Sequence, residues 1–141
     1  MHRLPAATAA ALTAATLLAA GAAAGGTLDC GVRSVGPGSL LRGGTAGAAC
    51  LLGAFQHRCR AAAYRLSLFG VDTVDTEDFR VAQRDGRCGV EVTTSFAIVP
   101  QQPHVTGTRR CARVRRAAGG DIVADRCTGG PPVTVSLTRF A

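Results

Sequence analysis

The chain has 141 residues, 47% of them apolar, with no Trp, one Tyr and five Phe, and a formal net charge of +7. That length suits one domain, and its core must be aliphatic. The near absence of aromatic side chains excludes the stacking platforms used by single-strand nucleic-acid binders and by sugar sites.

All 16 basic residues are Arg. Ala and Gly abound as well, so the absence of Lys reads first as the codon bias of a genome rich in G and C. Selection for bidentate anion contacts is the second reading.

Residues 1–24, MHRLPAATAAALTAATLLAAGAAA, have the pattern of an export signal. A basic start at Arg3 precedes an apolar run, and Ala22-Ala23-Ala24 offers a cleavage site. An uncleaved anchor is the alternative, because the run from Leu4 to Ala24 is just long enough to span a bilayer. Thr8, Thr13, Thr16 and Pro5 make that run only weakly hydrophobic. Cys30 follows Thr-Leu-Asp, which is not a lipid-attachment context. The expectation is a secreted mature chain from residue 25, free of the membrane, with net charge +6 once Arg3 is removed. Six cysteines, all in that part, then read as three disulfides. No paired short spacing suggests zinc.

Residues 25–44 carry seven glycines and one proline and read as a loop-like arm tied down by Cys30. Residues 45–63 read as a helix capped by Thr45, with Ala48, Leu52, Phe55, Cys59 and Ala62 along one face. Cys50 and Cys59 would lie about 13 Å apart along that helix, so each must bond elsewhere. The period then changes to two. Residues 64–71 read as a strand and 72–78, DTVDTED, as a polar connection. Residues 79–92 form a hairpin about Asp85-Gly86, with Gln83 opposite Cys88, Val81 opposite Val90 and Phe79 opposite Val92. Its second strand runs on through Thr94, Phe96 and Ile98, until Pro100 and Pro103 stop it.

A second hairpin is predicted over 105–127, about Ala118-Gly119-Gly120. It sets Cys111 opposite Cys127, Arg113 opposite Asp125, Val114 opposite Ala124 and Ala112 opposite Arg126. Cys111, Arg113 and Arg115 would face outward, Ala112 and Val114 inward. Residues 131–141 alternate Val133, Val135 and Leu137 with Thr134, Ser136 and Thr138, as a half-buried strand. The predicted fold is one α+β domain over 45–141. It lays one helix on a curled antiparallel sheet of five or six strands, in cystatin-like style, stapled by disulfides. A small all-β sandwich is the alternative. Cys111–Cys127 follows from the hairpin register. By elimination, Cys59–Cys88 and Cys30–Cys50 are the chosen pairs among fifteen connectivities.

Little catalytic chemistry is visible. His57 sits among polar helix residues and His104 in a loop. No serine stands in a nucleophile elbow. Asp72, Asp75, Glu77 and Asp78 lack the spacing and central Gly of a calcium loop. No cofactor or metal is expected, and the chain reads as no enzyme. A small hydrolase using Asp72, Asp75 or His57 is the weakest of the three hypotheses. The candidate anion-binding residues are Arg109, Arg110, Arg113, Arg115 and Arg116, in RRCARVRR. Such a surface would grip an extracellular polyanion electrostatically. The plainer reading is an outward strand face with Arg113 answering Asp125 and the rest solvated. Nucleic acid is not an expected partner of an exported chain.

The run CLLGAFQHRCRAAAYRLSLFGVDTVDTEDFRV (50–81), with Cys88, Cys111 and Cys127, resembles a group of small exported bacterial proteins of unassigned activity. That resemblance implies a cysteine-bearing helix, a G-V-D-T turn, a cysteine-rich sheet and export, and no site residues. The leading functional expectation is a secreted, disulfide-stabilised binding or structural module. The alternative is a secreted protease inhibitor acting through VPQQPH (99–104), since a stapled loop stays rigid when bound.

Overall fold

A computed structural model describes residues 26–37, 46–118 and 121–135. The signal-like segment 1–24, the Thr45 cap, Gly119-Gly120 and residues 136–141 lie outside the described residues. The elements, in chain order, are β1 (Leu28–Val35), α1 (Ala46–Gln56), β2 (Ala62–Phe69), β3 (Thr73–Arg84), β4 (Arg87–Ile98), β5 (His104–Arg116), β6 (Ile122–Thr128) and β7 (Val133–Val135). All seven strands form a single sheet in sequence order. This overturns the sandwich alternative and gives more strands than the five or six expected. The class is α+β, one helix on one sheet.

Period-two alternation explains the sheet's inner face. Tyr64, Leu66, Phe79, Val81, Val90 and Val92 all point inward and are buried. Helix α1 has 11 residues, too few to be stable alone. Burial of Ala48, Leu51, Leu52 and Ala54 against that face holds it. It lies across β1 to β6. Its approach at Gly47 is so close that a Cβ there would lie 2.6 Å from the Cys30 carbonyl oxygen.

The helix ends earlier than the apolar spacing predicts. Arg58 and Cys59 take left-handed conformations, with φ of 58° and 53°. The Arg60 N–H then reaches back to the Ala54 carbonyl at 2.9 Å. Ala62, expected on the helix stripe, instead starts β2, and Phe55 and Cys59 are only half-buried.

The glycine-rich arm contains a strand. Residues Leu28–Val35 pair in parallel with β2, with an irregularity between Asp29 and Val32. Gly31, at φ 84°, sits at that irregularity, where the backbone conformation suits glycine. The segment DTVDTED is not a connection. Residues 73–78 belong to β3, and only 70–72 join it to β2.

Both expected hairpins form. Phe79 lies opposite Val92, Val81 opposite Val90, and Gln83 opposite Cys88. Cys111 lies opposite Cys127, Arg113 opposite Asp125, and Val114 opposite Ala124. The faces of the second hairpin differ from expectation. Cys111 is fully buried and Ala112 exposed. Arg126, expected opposite Ala112, takes a left-handed φ of 55°, and no such pair forms. Cys111 and Val114 are both buried although three positions apart, so strict alternation is broken between them.

The three disulfides are Cys30–Cys50, Cys59–Cys88 and Cys111–Cys127, as paired from the sequence. Three such bridges belong to an oxidising environment. Among the described residues no helix is long and apolar enough to cross a membrane.

Candidate functional site

The five arginines of RRCARVRR do not form one patch. Arg109 Nη1 donates to the Pro131 carbonyl at 3.0 Å. Arg110 lies flat over Gly89, where any Cβ would sit 2.9 Å from its guanidinium. From there its Nη2 donates to the carbonyls of Ala82, at 3.4 Å, and Arg87, at 3.2 Å. Arg113 holds Asp125 in a fork, Nε to Oδ1 at 2.6 Å and Nη2 to Oδ2 at 2.7 Å. Arg115 Nε donates to the same carboxylate at 2.8 Å. Arg116 is exposed and partnered as well. The hydrogen bonds from Arg113, aided by Arg115, hold the Asp125 carboxyl well below the usual carboxylate range, against the opposing effect of its desolvation. So the expectation that all but Arg113 are merely solvated is corrected. These guanidiniums tie β5 to β6, to the β3–β4 hairpin and to the lead-in of β7.

Elsewhere, the exposed side chains of Arg58, Arg60, Arg80, Arg87 and Arg126 have no hydrogen-bond or ion-pair partner among the described residues. Three of them are chain neighbours of one disulfide, with Arg87 on the face of β4 opposite to Cys88. Arg58 and Arg60 flank Cys59, and Arg87 precedes Cys88, the cysteine that Cys59 bonds with Cα atoms 5.5 Å apart.

At the opposite end of the long strands, two turns meet. Val99 N–H donates to the Asp72 carbonyl at 2.8 Å, and Gly70 N–H to the Thr73 carbonyl at 2.8 Å. The joined turns, residues 70–72 and 99–103, carry Val71, 93% exposed, and Val99, 59% exposed. Phe69, Ile98 and Val105 are also exposed beside them. An open recess of about 350 Å³ adjoins them, lined by Pro37, Leu68, Phe69, Val71 and Thr73 among others. The suspected loop VPQQPH therefore stands at an apolar tip together with Val71, whose part was not foreseen.

His57 is not brought together with Asp75, its partner in the hydrolase hypothesis. His57 lies at the end of α1, two residues from the bridge to Cys88, whereas Asp75 pairs with Phe96, eight positions along β4. At the rise of a strand that is roughly 26 Å. His104 stands edge-on to Phe96 with ring centroids 5.9 Å apart. Asp78 is engaged by Arg65 Nε at 2.6 Å. Among the described residues no three His, Cys, Asp or Glu side chains are placed to hold a metal ion.

No protein-family model, curated protein or solved structure matches the chain.

Proposed function

We propose that this chain is a secreted, disulfide-stapled binding module without a catalytic centre, which seats its apolar tip in a cleft of a partner protein. The observation that carries the reading is the twin-turn tip. Val71 and Val99 are held outward on two turns joined by the Val99–Asp72 hydrogen bond, with Phe69, Ile98 and Val105 exposed on the adjoining strand ends. Clustered exposed apolar side chains mark interaction sites. Fully burying a valine contributes about 1.5–3 kcal/mol, so Val71 and Val99 together supply a useful share of a binding free energy. The turns are already ordered, which lowers the entropic cost of association.

The partner that fits a narrow convex edge is a protein with a deep apolar groove, and an exported protease is the choice. Pro100 and Pro103 limit the conformations of the 99–103 turn, as a cleavage-resistant loop requires. Export is supported by the signal-like residues 1–24 together with the three bridges. The cystatin-like style of helix across a curled sheet belongs to the same reading, with the parallel β1–β2 pair as a departure from it. Attachment to a polyanion through Arg109–Arg116 draws less support, because these side chains already have partners within the fold.

The test is a titration of secreted serine, cysteine and metalloproteases with the oxidised protein. Stoichiometric loss of activity in one class, relieved by Val71→Asp with Val99→Asp, is the expected result. Cleavage as an ordinary substrate, with no protease inhibited, overturns the proposal.

A further inference from the structure

We infer that the outer face of the sheet, turned away from α1, carries a groove for an extended sugar polymer bearing sulfate or phosphate groups, gripped by Arg80 and Arg87. This inference is independent of the protein-binding reading.

Strand register places the side chains. Val81, Val90 and Val92 are buried on the helix side, so Arg80, Ala82, Arg84, Arg87, Gly89 and Glu91 alternate with them onto the other face. Two contacts agree with that placement. Arg84 Nη2 donates to Glu91 Oε2 at 2.9 Å, and the Arg110 guanidinium lies where a Cβ on Gly89 would point, 2.9 Å from it. Ala82 pairs with Gly89, and Arg80 pairs with Glu91, which pairs in turn with Arg110. Small residues thus form a floor across β3 and β4. Arg80 and Arg110 stand on one side of it, about 9.6 Å apart across two strand spacings. Arg84 and Arg87 stand on the other, with Arg84 about 13 Å along β3 from Arg80. At the β2 end the floor meets a recess of about 410 Å³, lined by Ala61, Ala63, Arg80 and Ala82 among others.

Charge complementarity names the ligand. Only part of the charge is answered within the fold. Glu91 is held by Arg84, and the neighbouring Asp78 by Arg65 at 2.6 Å. Arg110 gives Nη2 to the neutral carbonyls of Ala82 and Arg87, which fixes its guanidinium and leaves its charge in place. Arg80 and Arg87 are exposed, with no hydrogen-bond or ion-pair partner among the described residues. Arg84 and Arg87 also pair directly with each other beside the turn, a placement of like charges that weakens a sheet. Around the floor, four arginines therefore face Glu91 and, in the turn, Asp85, and the groove stays positive. Asp29 stands farther off, on β1 opposite Ala63. A guanidinium matches the oxygen fork of sulfate or phosphate, and a polymer presents such groups in series to arginines on both sides of a shallow floor. Ile98 and Val105, the large exposed apolar residues of β4 and β5, stand at the apolar-tip ends of those strands, so the groove offers nothing for insertion into a lipid surface. Tyr64 and Phe79 are buried on the helix side and leave no ring beside the floor to stack a nucleic-acid base.

The experiment is elution of the purified, oxidised protein from immobilised dextran sulfate with a salt gradient. Arg80→Gln/Arg87→Gln is compared with Arg58→Gln/Arg60→Gln, which removes the same charge outside the sheet. Ala82→Leu raises the floor and leaves the charge unchanged. Circular dichroism checks that each variant is folded. The expected result is that Arg80→Gln/Arg87→Gln elutes well before the control pair, with the slope of log affinity against log salt shallower than the parent's by about 1.4, as for two lost contacts at roughly 0.7 each. Ala82→Leu should also elute before the parent. Co-elution of the two arginine pairs would mean that net charge alone binds, and would overturn the site. So would co-elution of Ala82→Leu with the parent, failure of the parent to be retained, or retention on phosphatidylglycerol vesicles or polyglutamate with none on dextran sulfate.

Discussion

Asp125 lies directly across from Arg113 and accepts two hydrogen bonds from its guanidinium, at 2.6 and 2.7 Å, while Arg115 adds a third. The carboxylate is buried and the arginines are about half exposed. Its folded-state pKa is depressed, chiefly by the Arg113 hydrogen bonds. Unfolded aspartates titrate near pH 4. Above that pH both states are ionised, and the contribution to stability is fully present. As pH falls below about 4, the unfolded chain binds a proton that the folded chain does not, so stability declines toward the folded pKa. Urea midpoints measured from pH 6 down to pH 2 should fall more steeply for the parent than for Asp125→Asn. Parallel curves would show that Asp125 does not carry the acid sensitivity.

Tyr64 packs against Phe79, ring centroids 6.0 Å apart, with its hydroxyl buried and without a hydrogen-bond partner among the described residues. Burial pushes its phenol above the ordinary value, partly offset by nearby Arg33. It is the chain's only tyrosine, so near-ultraviolet absorbance reads it alone. A raised folded pKa means stability is present below about pH 10, the unfolded value, and is lost as pH rises through the folded value. Tyrosinate should appear only together with alkaline unfolding. Tyr64→Phe removes an unsatisfied polar group and should raise stability by about 1 kcal/mol in urea unfolding. A loss of stability would imply a partner for the hydroxyl.

Gly47 poses a contest between two effects. Alanine is the better helix former by about 1 kcal/mol or less. Its Cβ, however, would meet Tyr64 Cε2 at 2.5 Å and the Cys30 carbonyl at 2.6 Å. The carbonyl belongs to a strand held by its neighbour and by the Cys30–Cys50 bridge, so it cannot move cheaply. Overpacking of this kind costs about 1–3 kcal/mol. Gly47→Ala should therefore be destabilising, with a lower thermal midpoint. A midpoint at or above the parent's would mean that α1 lifts off the sheet without cost.

The hairpins were legible because cross-strand matches are arithmetic. One turn position fixes every pair, and Phe79–Val92 and Cys111–Cys127 followed. Strand β1 was hidden because Gly31 interrupts its alternation and Arg33, a charged residue, occupies a buried inward position. Residues 73–78 were hidden because acids fall on both faces. Asp75 pairs opposite Leu68 and Glu77 opposite Leu66, while the alternate Asp78 meets Arg65. No period-two pattern exists to read there. The apolar tip depends on juxtaposition. Val71 and Val99 are 28 positions apart, and local composition does not carry their relationship.

The disulfides offer a ranking that loop length alone would reverse. Closed loops of 16, 20 and 29 residues separate the partners of Cys111–Cys127, Cys30–Cys50 and Cys59–Cys88. In the chain-entropy model these contribute about 3.1, 3.3 and 3.6 kcal/mol, a spread too small to decide the order. Burial decides it. Cys111 is fully buried, whereas Cys59 and Cys88 are only partly buried beside the core. Replacing both members by alanine removes packed sulfur atoms and leaves cavities, at a further cost that grows with the space left. Cys111→Ala/Cys127→Ala should thus be the most destabilising of the three double variants, despite the shortest loop. Thermal unfolding of all three, purified under the same oxidising conditions, reads the order directly. If Cys59→Ala/Cys88→Ala proves the least stable, loop entropy outweighs packing in this fold.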